Sequence, residues 1–213
     1  MSFFSLARWK TQKKMRVHLG CGAKQLEGWV HVDAQAYPHV DHQTTIDKLD
    51  MLPDASVDEL YACHVLEHVG RRELLGVLRE WNRVLKAGAT VRISVPDFDA
   101  VVDQYKATGQ LHEVMGLLVG GQRDRWDYHC VAFNLALLTE LLECCGFAQV
   151  QRYDWHAFLP PDVDDYSRCY LPHLDTSGRL MSLNVTAVKA RLPKPIDQLS
   201  AALRSATKTP QIG

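Results

Sequence analysis

No stretch of this sequence approaches the ~20 apolar residues that a membrane-spanning helix needs. The opening residues are too few and too broken by polar side chains to make a secretory signal. The default compartment is therefore the cytoplasm. None of the six cysteines stands in a CxxC pair, which argues against a zinc knuckle. Without an oxidising address they read as reduced thiols that pack as small hydrophobes. Net charge is nearly absent too, at −1. No internal repeat and no linker divides the 213 residues, which suit one sizeable α/β domain and are short for two. Hydrophobic residues at 46% exclude disorder as the general state.

The small net charge hides unlike parts. Residues 1–16 carry five basic residues and no acid, and residues 186–213 carry five against one. The body between them, 17–185, keeps 14 basic and 24 acidic residues. An acidic body argues against nucleic acid as a partner, while basic ends suit an anionic surface. The chain thus divides into a basic extension (1–14), a single domain (15–190) and a basic tail (191–213).

Hydrophobic periodicity supplies the elements. Strands are expected at 15–19, 29–33 and 58–63, and a β-branched one at 90–95 before Pro96. Only six residues separate Gly22 from Trp29, too few for the usual crossover helix. Leu74, Leu78, Trp81 and Leu85 mark one face of a helix over 71–86, with Gly88 as its left-handed cap. Further helices are expected over 98–121 and 131–145. Late strands are expected over 149–155 and 183–190, with a loop rich in Pro and Asp over 160–178. Ile196, Leu199 and Leu203 share one face of a weak segment in the tail. Strands alternating with helices imply a mostly parallel sheet flanked by helices, an α/β fold of Rossmann-like order with a truncated first crossover.

Ligands in such sheets bind past the carboxyl ends of the strands. Gly20-Cys21-Gly22 follows the first strand, where glycines let backbone approach a ligand, or simply make a tight turn. Gln25 stands where GxGxxG needs its last glycine, which lowers a nicotinamide-cofactor reading. Asp33 ends the second strand, where it can accept both hydroxyls of a ribose or cap a turn. Asp50 can accept from an adenine amine, with Met51 and Leu52 beside the base, or belong to a charged loop. His64 sits at the cleft mouth. Glu67 and His68 follow it, but adjacent helical residues point about 100° apart and make poor joint ligands, so no metal is expected.

Together these pieces resemble the class I S-adenosylmethionine-dependent methyltransferases, from Arg16 to about Val150. The closest likeness is to small bacterial methyltransferases associated with cell-surface polysaccharide genes. The text that carries it is Val17-His-Leu-Gly-Cys-Gly22, Gly28-Trp-Val-His-Val-Asp33, the run Val57 to His68, Arg83-Val-Leu-Lys-Ala-Gly88 and Arg92-Ile-Ser-Val-Pro-Asp97. The resemblance implies S-adenosylmethionine as cofactor. Gly20, Cys21 and Gly22 would support its methionine part, Asp33 its ribose and Asp50 its adenine amine. Met51 and Leu52 would pack the ring, and His64 would close over it. His18 stands where the broad family has an acid facing the ammonium, and Lys24 where it has a third glycine.

The implied reaction moves a methyl group to a hydroxyl or amine of a sugar, glycan precursor or other small molecule. A hydroxyl needs a base. His129, in the aromatic loop before helix 131–145, is the first candidate and Asp97 the second. Trp126, Tyr128 and Arg125 suit a sugar site. A non-catalytic relative in surface-glycan assembly is the alternative. The basic ends, with Phe3, Phe4, Leu6 and Trp9, suit peripheral contact with an anionic membrane or lipid-linked substrate.

Overall fold

The computed structural model describes residues 14–173 and 175–195. Its first half contains β1 (Arg16–Leu19), β2 (Val30–Asp33), β3 (His42–Gln43), β4 (Val57–Cys63), α1 (Leu74–Val84) and β5 (Leu85–Pro96). The second half contains α2 (Phe98–Thr108), α3 (Leu111–Val119), α4 (Leu135–Cys144) and β6 (Phe147–Arg152). It closes with β7 (Tyr170–Leu171), β8 (Arg179–Leu180) and β9 (Ser182–Lys189). The main sheet has seven strands in the order β3-β2-β1-β4-β5-β9-β6. β1 to β5 pair in parallel, and β9 runs antiparallel between β5 and β6.

Strand alternation gives the sheet two unlike faces. Val17, Leu19, Val32, Leu60, Val91 and Ile93 point to one, where α1 and α4 bury Leu78, Trp81, Leu138 and Leu142 against them. His18, His31, Tyr61 and Ser94 are the alternate residues and point to the other. Among the described residues no α-helix covers that second face. The segment that follows β6 does, over residues 153–168. The Phe158 ring lies 4.7 Å from Tyr61 and 5.9 Å from Tyr153, with the Arg92 guanidinium 4.6 Å from its centre. Leu159 is buried with Leu26 and Tyr61. The Tyr61 hydroxyl donates to Asp165 Oδ2 at 2.6 Å, and Asn184 Nδ2 donates to the Ser167 carbonyl at 2.7 Å.

The short crossover is as expected: residues 20–29 contain no helix, and none lies between β2 and β4 either. Other expectations need correction. Gly88 does not cap α1, which ends at Val84 with Leu85 already extended. Its φ of +76° instead serves an irregularity in β5. There residues 86–89 stand opposite Asp58 alone, because Leu85 pairs with Val57 and Thr90 with Glu59. The helix expected over 98–121 is two helices, broken where Gly109 caps α2 at a φ of +69°. The helix expected over 131–145 begins later, because Asn134 caps it by accepting from the Leu137 amide. Trp155 lies in a 3-10 turn and not in β6. Within the loop of 160–178, β7 and β8 form a small hairpin.

Past β9 the chain stays on the body. The Arg191 amide donates to the Gly146 carbonyl at 3.0 Å and the Lys194 amide to the Cys144 carbonyl at 2.9 Å. Phe3, Phe4, Leu6, Trp9, Ile196, Leu199 and Leu203 lie outside the described residues. Among the described residues no helix is long and apolar enough to cross a membrane.

Candidate active site at the strand ends

Parallel β1, β2, β4 and β5 all end at one edge, so the loops that follow them meet. Gly20 and Gly22 take φ of +59° and +53°. A Cβ on Gly20 would lie 2.4 Å from Val65 Cγ2, whereas nothing lies within 4 Å of one on Gly22. The first glycine therefore answers to packing, and the second leaves open space beside its backbone. Asp33 Oδ2 accepts from the Gly22 amide at 2.7 Å, and Oδ1 accepts from the Gln35 amide at 2.7 Å. Each oxygen keeps a lone pair for a further donor. Cys21 between the glycines is buried, its Sγ 3.7 Å from His39 Nε2. Burial first, then the charge of Asp33, push its thiol up to about 12. It is a packing thiol and not a nucleophile.

Asp50 is exposed, Met51 half-buried and Leu52 buried. Side chains of α1 pin the loop that carries them. Trp81 Nε1 donates to the Ile46 carbonyl at 2.9 Å. Arg83 Nη2 donates to the Leu49 carbonyl and Nη1 to the Leu52 carbonyl, both at 3.0 Å. Glu80 holds that guanidinium at 2.6 Å and takes the Leu49 amide at 3.1 Å. Replacing Arg83 by Met removes both carbonyl bonds at a partly exposed site. We expect a loss of about 1–2 kcal/mol in urea unfolding, together with weaker binding of any ligand that uses this loop. Unchanged values for both would show that the clamp is idle.

His64 adopts a φ of +48°, uncommon for a residue with a Cβ. Its amide donates to the Ser94 carbonyl at 2.8 Å. Its Nε2 lies 3.0 Å from Ser182 Oγ and its Nδ1 3.2 Å from Glu67 Oε1. Glu67 is fully buried, and neither carboxylate oxygen has a partner in hydrogen-bond geometry. Burial pushes this carboxyl up, but His64 and then His68 pull it net below the usual carboxylate range. His129 Nδ1 donates to the Leu117 carbonyl at 2.9 Å, since a carbonyl can only accept. Its Nδ1 therefore carries the proton, and Nε2, 4.0 Å from Glu67 Oε1, presents a lone pair. Burial first lowers its pKa, so the ring is neutral at pH 7.

Asp97 caps α2 and is buried. Its Oδ1 accepts from the Asp99 amide at 3.2 Å and its Oδ2 from Arg152 Nη2 at 2.8 Å. His18 lies on the aromatic face, 2% exposed, with its ring 5.1 Å from Tyr61 and 5.8 Å from His31. Its Nδ1 has no partner. Burial first, then His31 and His39, push it down to about 3. It is a neutral ring where an acid would carry a charge.

Residues 17–93 match a family model described as a methyltransferase domain. That match covers about a third of the chain, the part that holds the first strands and the turns after them. The protein is an enzyme of the S-adenosylmethionine-dependent kind, and the fold is that of the class I methyltransferases. A methyltransferase from Archaeoglobus fulgidus is similar at a TM-score of 0.51 and 14% identity, over 83% of this chain and 86% of that one. One from Thermotoga maritima gives 0.51 and 14%, over 84% and 83%. The 1,6-didemethyltoxoflavin-N1-methyltransferase of Burkholderia thailandensis, solved with S-adenosylhomocysteine, gives 0.51 and 16%, over 83% and 71%. At such identities these structures speak for the fold alone. No curated protein matches the sequence.

The methyltransferase domain match takes in the glycine turn, Asp33, the 49–52 loop and His64, and stops before Asp97 and His129. Sequence reasoning brought out most of these positions one by one. It did not bring out Tyr61, Arg152 or the covering segment. The signal for the aromatic face was present, since His18, His31 and Tyr61 each alternate with apolar neighbours.

Proposed function

We propose that the methyl acceptor is a hydroxyl or amine of a sugar, glycan precursor or other small molecule. The open backbone at Gly22, tied to Asp33 at the strand ends, is the observation that carries the cofactor placement. In this reading the turn from Gly20 to Gly22 holds the methionine part and Asp33 the ribose. Asp50 takes the adenine amine, with Met51 and Leu52 against the ring and His64 at the mouth. His18, being neutral, contributes shape and not charge toward the ammonium. The link to surface polysaccharides rests on the sequence resemblance, and peripheral docking rests on the basic charge and apolar residues of the two ends.

The sulfonium is already activated. The protein has to align the acceptor lone pair behind the methyl carbon, in line with the departing sulfur. S-adenosylmethionine held there would supply the methyl group to the acceptor's oxygen or nitrogen lone pair, its sulfur keeping the electron pair of the bond given up. A hydroxyl also loses its proton. The cluster of Glu67, His68 and His129, which adjoins His64 through the 3.2 Å contact of Glu67, would accept it. Asp97 is less suited, because Arg152 already holds its carboxylate.

Isothermal titration with S-adenosylmethionine tests the placement. The wild type should bind one equivalent. Asp33→Ala should bind at least about tenfold more weakly, the ~1.4 kcal/mol of one lost polar contact. Equal affinity in the variant would remove Asp33 from the cofactor site.

A further inference from the structure

We infer that Glu67, His68 and His129 form a binding site for one divalent first-row transition ion. The ligand atoms of the three lie within 4.8 Å of one another. Two independent features make this more than proximity. First, Glu67 is wholly buried and neither oxygen makes a hydrogen bond of good geometry; Oε1 has only the imidazoles of His64, at 3.2 Å, and His129, at 4.0 Å, beside it, an arrangement that a cation among these rings would complete. Second, both histidines are oriented in the way metal ligands usually are. His129 Nδ1 donates to the Leu117 carbonyl at 2.9 Å and His68 Nδ1 to the Tyr128 carbonyl at 3.0 Å. Each bond puts a proton on Nδ1 and leaves Nε2 as the atom turned toward a metal. The two rings meet edge to face at 4.9 Å.

The objection that Glu67 and His68 are adjacent is met by their local structure. Leu66–His68 is a single 3-10 turn and not a stretch of α-helix. The third ligand arrives from the far side. The Cys130 amide donates to the Glu67 carbonyl at 2.7 Å, which ties the loop carrying His129 to this turn.

Two imidazoles and one carboxylate favour Zn²⁺, Mn²⁺ or Fe²⁺ over Mg²⁺, which prefers oxygen. Three protein ligands leave open positions, and His68 is on the solvent side of the cluster. An oxygen of the acceptor fits there. That use rests on the methyl-transfer reading, whereas metal binding does not. With the ion bound, His129 Nε2 is a ligand, and the part expected of it as a free base passes to the ion.

Equilibrium dialysis of the apo-protein against Zn²⁺, Mn²⁺ and Mg²⁺, without S-adenosylmethionine, decides the matter. One equivalent of Zn²⁺ or Mn²⁺ should bind saturably, with Mg²⁺ much weaker. His68→Asn and His129→Gln should each lose at least about tenfold in affinity. His156→Asn, at an exposed histidine outside the cluster, should lose nothing. Co²⁺ loading should give visible bands that vanish in His68→Asn. His68→Asn is half-exposed and keeps the fold intact, which circular dichroism checks. No saturable equivalent, or wild-type affinity in His68→Asn, would overturn the proposal. Metal binding without methyl transfer would leave it standing and count against the acceptor reading instead.

Discussion

Gly20→Ala should unfold at markedly lower urea than the wild type, by about 2–5 kcal/mol. Two terms add. A Cβ at a φ of +59° pays the left-handed penalty of about 1–2 kcal/mol. It also lands 2.4 Å from Val65 Cγ2, and overpacking of this kind costs about 1–3 kcal/mol. Val65 begins the turn that leads to Glu67 and His68, so the strain reaches both halves of the site. A double variant with Val65→Ala should recover the steric term and keep the backbone term. Gly22→Ala separates packing from binding. It meets nothing within 4 Å, so it should cost stability only through its φ while weakening the cofactor. A Gly20→Ala protein within about 0.5 kcal/mol of wild type, the ordinary range for a surface change, would show that this turn is not tightly packed.

Acid should weaken the fold well before most carboxylates titrate, and His18 should account for much of it. The ring is neutral when folded, with its pKa pushed down to about 3 by burial and by His31 and His39. In the unfolded chain it takes a proton near the ordinary histidine value of 6.5. Between those values the unfolded state binds the extra proton. Its contribution is therefore fully present above pH 6.5 and is lost as pH falls toward 3. A shift of that size corresponds to a loss on the order of 4 kcal/mol across the window. His18→Phe keeps the stack on Tyr61 and cannot be protonated. Its urea midpoint should fall far less over the same range. Parallel curves for the two proteins would mean that His18 is accessible enough to charge in the folded state.

The elements that the sequence made legible are those whose signal is local. Val17-His-Leu and Leu60-Tyr-Ala alternate, and the strands and their carboxyl ends follow. Leu74, Leu78 and Trp81 recur at helical spacing, and α1 follows. Gly88 was ambiguous because a glycine after a helix serves equally as a cap or as a bulge. Only the register of β5 on β4 decides between them. The turn at Gly20 and Gly22 was legible, because its backbone takes the positive φ that favours glycine, and Asp33 stands at the strand end where it ties that turn. The cluster at Glu67 was not, because its third member is 62 positions away from it, a separation plain only in three dimensions. The cover over the aromatic face was illegible for the same reason. Phe158 and Asp165 carry no motif, and their purpose is set by residues of β4 and β5.

That cover also fixes an order of events. Tyr61 meets Asp165 across 104 residues, and the partner of both β5 and β6 is β9, near the end of the domain. During synthesis β1 to β5 can assemble with α1 as soon as they emerge. β6 then has no strand to pair with until Ser182–Lys189 arrives and slides in beside β5. Until residues 153–168 follow, the face that carries Tyr61 lacks its cover. Contacts so distant in sequence slow folding and prolong exposure of unpaired edges. A chain stalled or cut after Arg152 is thus a species with an open edge on β5 and an uncovered aromatic face, the form a chaperone would meet.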